Sequence, residues 1–158
     1  MRSQVFNLRD AEASGPRSAA FARLLGVLDA SWAELQAVAT SILADGTRSQ
    51  EDNCRRATEA VLGVVRSAGF SASILEGDVP TKNTLSPEYD RYQWWSVHSV
   101  ALVRLDECWV VVDFTASQLP RFQDVPVVIN ITEPSFEALK EVLHANYGWW
   151  IGGSRTAR

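Results

Sequence analysis

The stretch Trp95-Ser96-Val97-His98-Ser99-Val100-Ala101-Leu102-Val103-Arg104-Leu105-Asp106-Glu107-Cys108-Trp109-Val110-Val111-Val112-Asp113-Phe114-Thr115 decides the fold. Two runs rich in β-branched and aromatic residues flank the polar pair Asp106-Glu107, so Trp95–Leu105 and Cys108–Thr115 predict an antiparallel hairpin. Leu105 set opposite Cys108 across the turn puts Val100 opposite Asp113. His98, two residues before Val100, then shares a face with Asp113 and lies diagonal to it. Diagonal neighbours stand about 7–8 Å apart at the backbone, within reach of an imidazole–carboxylate hydrogen bond. An odd number of residues in the turn would break this parity and send the two side chains to opposite faces. Asp113 sits between Val112 and Phe114 in an apolar run, where a carboxylate needs a partner, and His98 is the candidate.

Before the hairpin, Asp52–Gly69 predicts an amphipathic helix. Ala57, Val61, Val64 and Ala68 recur at helical spacing, with Ala60 and Val65 filling the stripe and Arg55, Glu59 and Arg66 off it. Asp52 or Asn53 is suited to cap its start, and Gly69 stands where a left-handed residue ends a helix. Cys54 is then expected in the first turn, where unpaired N–H groups and the helix dipole favour thiolate.

Further out, residues 1–16 are polar and mixed and predict a poorly ordered lead-in. Residues 17–44 predict two helices, one with the stripe Phe21, Leu24, Leu25 and Leu28, the other with Trp32, Leu35, Val38, Ala39 and Ile42. Asp29 or Ser31 marks their junction, and Ser31 with Glu34 has the spacing of a capping box. Thr47–Glu51 reads as a loop, Phe70–Leu75 as a strand, and residues 77–93 as a long polar loop suggestive of function. Val127–Ile131 predicts a short strand, and Ser135 opens a last helix to about Ala145. The order of elements implies an α+β fold with a mostly antiparallel sheet. The expected organisation is one domain over 1–158: an N-terminal helical part (1–46), a core (47–131), and a C-terminal helix and tail (132–158).

The composition agrees with a globular chain: 46% hydrophobic, 22% charged residues, 158 in all. A net charge of −4 argues against a chain built to grip nucleic acid. No apolar run is long enough for a membrane span. No basic-then-apolar signal segment opens the chain, the expectation for a protein without its own secretion signal or a piece of a larger exported one. Two cysteines, Cys54 and Cys108, make no disulfide framework, and with only His98 and His144 no zinc-ligand spacing arises, so neither metal nor cofactor is expected.

Cys54 at a helix start, His98 on one strand and Asp113 on the next supply the parts of a nucleophile, its base and the group that orients the base. Asn53-Cys54 opening a helix, His98-Ser99-Val100-Ala101-Leu102-Val103, and Val110-Val111-Val112-Asp113-Phe114-Thr115 together resemble the papain-like and transglutaminase-like cysteine hydrolase fold. Within it the likeness is to papain-fold toxin domains of bacterial polymorphic toxins and related effector proteases. It covers roughly residues 47–120. The resemblance implies a Cys54–His98–Asp113 triad that cleaves peptide bonds or deamidates glutamine side chains of a protein substrate. It also implies an effector delivered to a recipient's cytosol, with an immunity protein as a possible partner. Gln50, Asn53 and the Cys54 backbone N–H are candidate oxyanion donors, Gln118 a further polar candidate and Trp95 a wall of the substrate cleft.

A plainer alternative stands beside this one. Cys54 as a small core filler, with His98 and Asp113 as a structural pair, would leave a non-catalytic interaction module using Trp95, Trp149 and Trp150 as its partner surface. Cys108 beside the turn reads as structural or exposed, and His144 as a favourable charge at a helix C-terminus.

Overall fold

A computed structural model of the chain describes residues 3–7, 18–45, 47, 50–80, 95–116 and 127–149, side chains at 3–7, 50, 51, 80, 95 and 96 excepted. The elements run β1 (Ser3–Asn7), α1 (Ala19–Ala30), α2 (Trp32–Ala44), α3 (Gln50–Ser67), β2 (Ser71–Pro80), β3 (Trp95–Arg104), β4 (Trp109–Asp113), β5 (Val127–Ile131) and α4 (Phe136–Tyr147). The strands form one antiparallel sheet in the order β1-β5-β4-β3-β2. The fold is α+β.

The β3–β4 hairpin has the expected register. Arg104 pairs with Trp109 and Ala101 with Val112, and the Leu105 N–H donates to the Cys108 carbonyl at 2.9 Å. Period-two alternation divides the sheet into two apolar faces. Ala101, Val103, Val110, Val112 and Val128 meet Phe21, Leu24, Leu25 and Leu28 of α1, Leu35 and Ala39 of α2, and Val61 and Val65 of α3. Val100, Leu102, Val111, Ile129 and Ile131 meet Ala138, Leu139, Val142 and Leu143 of α4. Three helices therefore cover one face and α4 the other.

Side-chain caps set two helix starts: Ser18 accepts from the Phe21 N–H and Ser135 from the Ala138 N–H, both at 3.1 Å. Ser31 does separate α1 from α2, but its side chain makes no capping hydrogen bond, so the expected capping box does not form. Gly69 takes the expected left-handed conformation, φ 91°.

Three expectations need correction. Ser3–Asn7, expected in a poorly ordered lead-in, pairs with all of β5; that pairing is long-range and leaves little local signal. β2 runs to Pro80, so the first residues of the expected 77–93 loop are strand; at a sheet edge Gly77 and a terminal Pro80 are tolerated. The α3 helix begins at Gln50, inside the expected Thr47–Glu51 loop, which places Asp52 and Asn53 within the helix and Cys54 in its second turn.

Two glycines predict opposite responses. A Cβ on Gly77 would run into the Trp149 indole, whereas one on the exposed Gly63 in α3 would meet nothing within 4 Å. In chemical denaturation, Gly77→Ala is expected to lower stability by about 1–3 kcal/mol. Gly63→Ala is expected to raise it by about 0.5–1 kcal/mol through helix propensity.

Candidate functional site

Unequal strand lengths create the site. β3 pairs with β2 from Trp95 to Arg104, but with β4 only from Ala101 onward. Backbone groups of Val97 and Ser99 thus lack a strand on the side where β4 has ended, and α3 takes its place. The Cys54 Sγ accepts from the Ser99 N–H at 3.3 Å and lies 3.8 Å from the Val97 carbonyl, to which it can donate. One turn on, the Thr58 hydroxyl donates to the Ser99 carbonyl at 3.1 Å. The spacing of Cys54 and Thr58 puts both on one side of α3.

His98 and Asp113 project from the α4-covered face, beside Val100 and Val111. They are hydrogen-bonded, Nε2 to Oδ2 at 2.7 Å, and both are buried. A carboxylate only accepts, so Nε2 carries the proton. Asp113 is saturated with donors: Oδ1 accepts from the Thr115 N–H at 2.8 Å and the Thr115 hydroxyl at 3.2 Å, and Oδ2 from the Tyr147 hydroxyl at 3.0 Å as well as from His98.

Burial by itself would lower the pKa of His98, but the charge of Asp113 and its hydrogen bond outweigh burial and raise it to about 10, with smaller raising contributions from Cys54. Cys54 is therefore close to the imidazole, and His98 Nδ1, buried, has no other hydrogen-bond partner among the described residues.

Thus Cys54 from one helical layer and His98 and Asp113 from the other face converge where β4 stops. Asn53 adjoins Cys54, and its buried Oδ1 has no hydrogen-bond partner among the described residues. Gln50 lies in the first turn of α3 and Trp95 at the start of β3, with side chains outside the described residues; Gln118 and Trp150 lie outside them altogether. Trp149 is buried at 8% exposure, which removes it from the expected partner surface. Cys108 is buried in the α1–α3 core, with its thiol pKa raised by burial and by Glu107. His144 stands in the last turn of α4, its Nδ1 3.1 Å from the Trp149 carbonyl.

Sequence reading missed Thr115 and Tyr147. A threonine two residues after an aspartate is a local turn signal that pointed to the first. Nothing local points to Tyr147, which arrives from α4.

No helix among the described residues is long and apolar enough to cross a membrane. No group of three or more His, Cys, Asp or Glu among them could hold a metal ion. Comparison with protein-family profiles, curated proteins and solved structures gave no match to the chain.

The raised His98 pKa has a signed consequence. Folding enhances proton binding, so the contribution is complete below the ordinary value of 6.5 and is lost as pH rises toward about 10. Tyr147 and Cys108, acids with raised pKa, push the same way only above their ordinary values of 10.0 and 9.0. Denaturation stability is therefore expected to fall from pH 6.5 to 9, and Asp113→Asn to flatten that slope. Asp113→Ala should cost about 3–5 kcal/mol, because it leaves His98 buried without its partner.

Proposed function

We propose that the chain is a cysteine-dependent amide hydrolase of papain-like type, acting on a peptide bond or glutamine carboxamide of a protein substrate. Cys54 is the nucleophile, His98 the general base and acid, and Asp113 the group that orients the imidazole. The observation that carries this reading is the division of labour on one ring: Nε2 is committed to Asp113, and Nδ1 lies on the side of Cys54 with no other partner among the described residues.

The chemistry follows from that arrangement. Nδ1 already holds the proton that comes from the thiol, as the raised His98 pKa requires at neutral pH, and the sulfur attacks the amide carbon. The tetrahedral adduct collapses as the imidazolium returns the proton to the leaving nitrogen, releasing ammonia or an amine and leaving a thioester. Water, deprotonated by the neutral imidazole, then attacks the thioester, and its breakdown gives a carboxylic acid and regenerates the thiol. Asp113 keeps the imidazole in one orientation through both halves. An amine in place of that water would make the same site a transglutaminase or acyltransferase. The narrower assignment to a delivered toxin domain has the sequence resemblance as its only support.

Cys54 is fully buried, so the site must open before a carbonyl reaches the sulfur. A second reading gains support from the same sulfur. Its contacts with Val97 and Ser99 suffice for a structural cysteine that plugs the unpaired edge of β3, in a non-catalytic interaction module.

Thiol labelling separates the two. Under the hydrolase reading, iodoacetamide at neutral pH is expected to modify Cys54 at least about tenfold faster than Cys108, and His98→Gln to remove the difference. Equal, slow labelling of both would favour the plug. Cys54→Ala should keep the fold and lose activity by roughly 10⁴-fold or more, read by intact mass of exposed target proteins. A gain of about 1 Da per side chain marks deamidation, and a truncated product marks proteolysis.

A further inference from the structure

The end of α4 is built against His98 and Asp113 with more detail than helix packing needs. Gly148, left-handed at φ 67°, closes the helix: its N–H donates to the His144 carbonyl at 2.9 Å, and the Trp149 N–H to the Leu143 carbonyl at 3.3 Å. The chain therefore turns back, and the Trp149 indole lies over Gly77, the residue paired with His98 across the β2–β3 ladder. Trp149 in turn meets the Tyr147 ring edge-on, centroids 6.3 Å apart. Trp149 thereby backs Tyr147 against the sheet.

So held, Tyr147 does two things. Its ring lies 5.7 Å from the imidazole at 31°, partly covering one side of it. Its hydroxyl donates to Oδ2, the oxygen that also takes the His98 Nε2–H. Thr115 supplies both donors to Oδ1, so each carboxylate oxygen has two. Four donors fill the carboxylate's acceptor sites and fix its rotation. The direction from which Oδ2 receives the Nε2 proton is then fixed, and with it the direction of Nδ1 on the far side of the ring.

We infer that Tyr147 is a positioning residue that acts through Asp113, sharing Oδ2 so as to aim His98 Nδ1 at Cys54. The catalytic role of that aim rests on the hydrolase reading; the sharing of Oδ2 does not. By drawing charge from Oδ2, the hydroxyl also weakens the pull of Asp113 on the imidazole proton. Among the described residues, Asp113 from β4 and Cys54 from α3 act on the charge of His98, the Tyr147 ring of α4 lies against it, and Glu76 and Asp78 on β2 flank the paired Gly77.

The test is proton NMR of the full chain labelled with ¹⁵N-histidine, the His98 resonances assigned with H98Q. Wild type is expected to show a low-field Nε2–H proton, the mark of a strong bond to a carboxylate. Y147F leaves His98 as the one side-chain donor on Oδ2 and should move that proton further downfield. Biosynthetic 3-fluorotyrosine, a stronger donor in the same place, should move it upfield, and keeps the test open if Y147F does not fold. A lower melting temperature with the proton unmoved by either change would mean a merely structural hydroxyl and would overturn the inference. Iodoacetamide labelling of Cys54 on the same samples keeps the two claims apart. A responsive proton beside an inert thiol sinks the hydrolase reading alone, and an unresponsive proton beside a reactive thiol sinks the role of Tyr147 alone.

Discussion

A carboxylate with almost no exposure to water is the constraint around which this molecule is arranged. Asp113 ends a strand whose other residues are valines and a tryptophan, and a charge there costs several kcal/mol unless it is fully bonded. Its donors come from three places: Thr115 from its own strand's continuation, His98 from the neighbouring strand, Tyr147 from the last helix. Each brings a separate element into register. The hairpin must pair so that His98 and Asp113 share a face, and α4 must end where its tyrosine reaches Oδ2. The buried bonds and the apolar packing around them demand the same arrangement, and that agreement makes a fold specific.

The same carboxylate divides the duties of the imidazole. With Nε2 tied to Asp113, the ring has one nitrogen left, and that nitrogen is buried near Cys54. The sulfur is there because β4 is short. Had β4 continued alongside β3 past Ala101, its backbone would have met the groups of Val97 and Ser99 that Cys54 and Thr58 now meet. A difference in strand length thus opens the slot through which a helix on one face reaches a histidine on the other.

Much of this arrangement was legible in the chain. Parity from a two-residue turn was enough to put His98 and Asp113 on one face, because side-chain direction in a strand depends only on odd and even. The stripes of α1 and α2 and the capping serine Ser135 likewise follow local rules. Other features depend on partners remote in sequence. Ser3–Asn7 is a strand because β5 is available to pair with it, and Gly77 lies within a strand because β3 runs beside it. α3 starts at Gln50 rather than at Asp52 or Asn53 because Gln50 and Glu51 are good helix formers that add a turn before them. Tyr147 was invisible, since no pattern in one helix tells which distant oxygen its hydroxyl will meet.

The placement of sulfur and imidazole on separate layers makes their meeting a property of the whole fold. α3 carries the sulfur and the sheet carries the imidazole, so the two are neighbours only where α3 docks against the stretch of β3 that β4 leaves unpaired. A change that loosens that docking parts the two groups and leaves the bond between His98 and Asp113, on the other face of the sheet, in place.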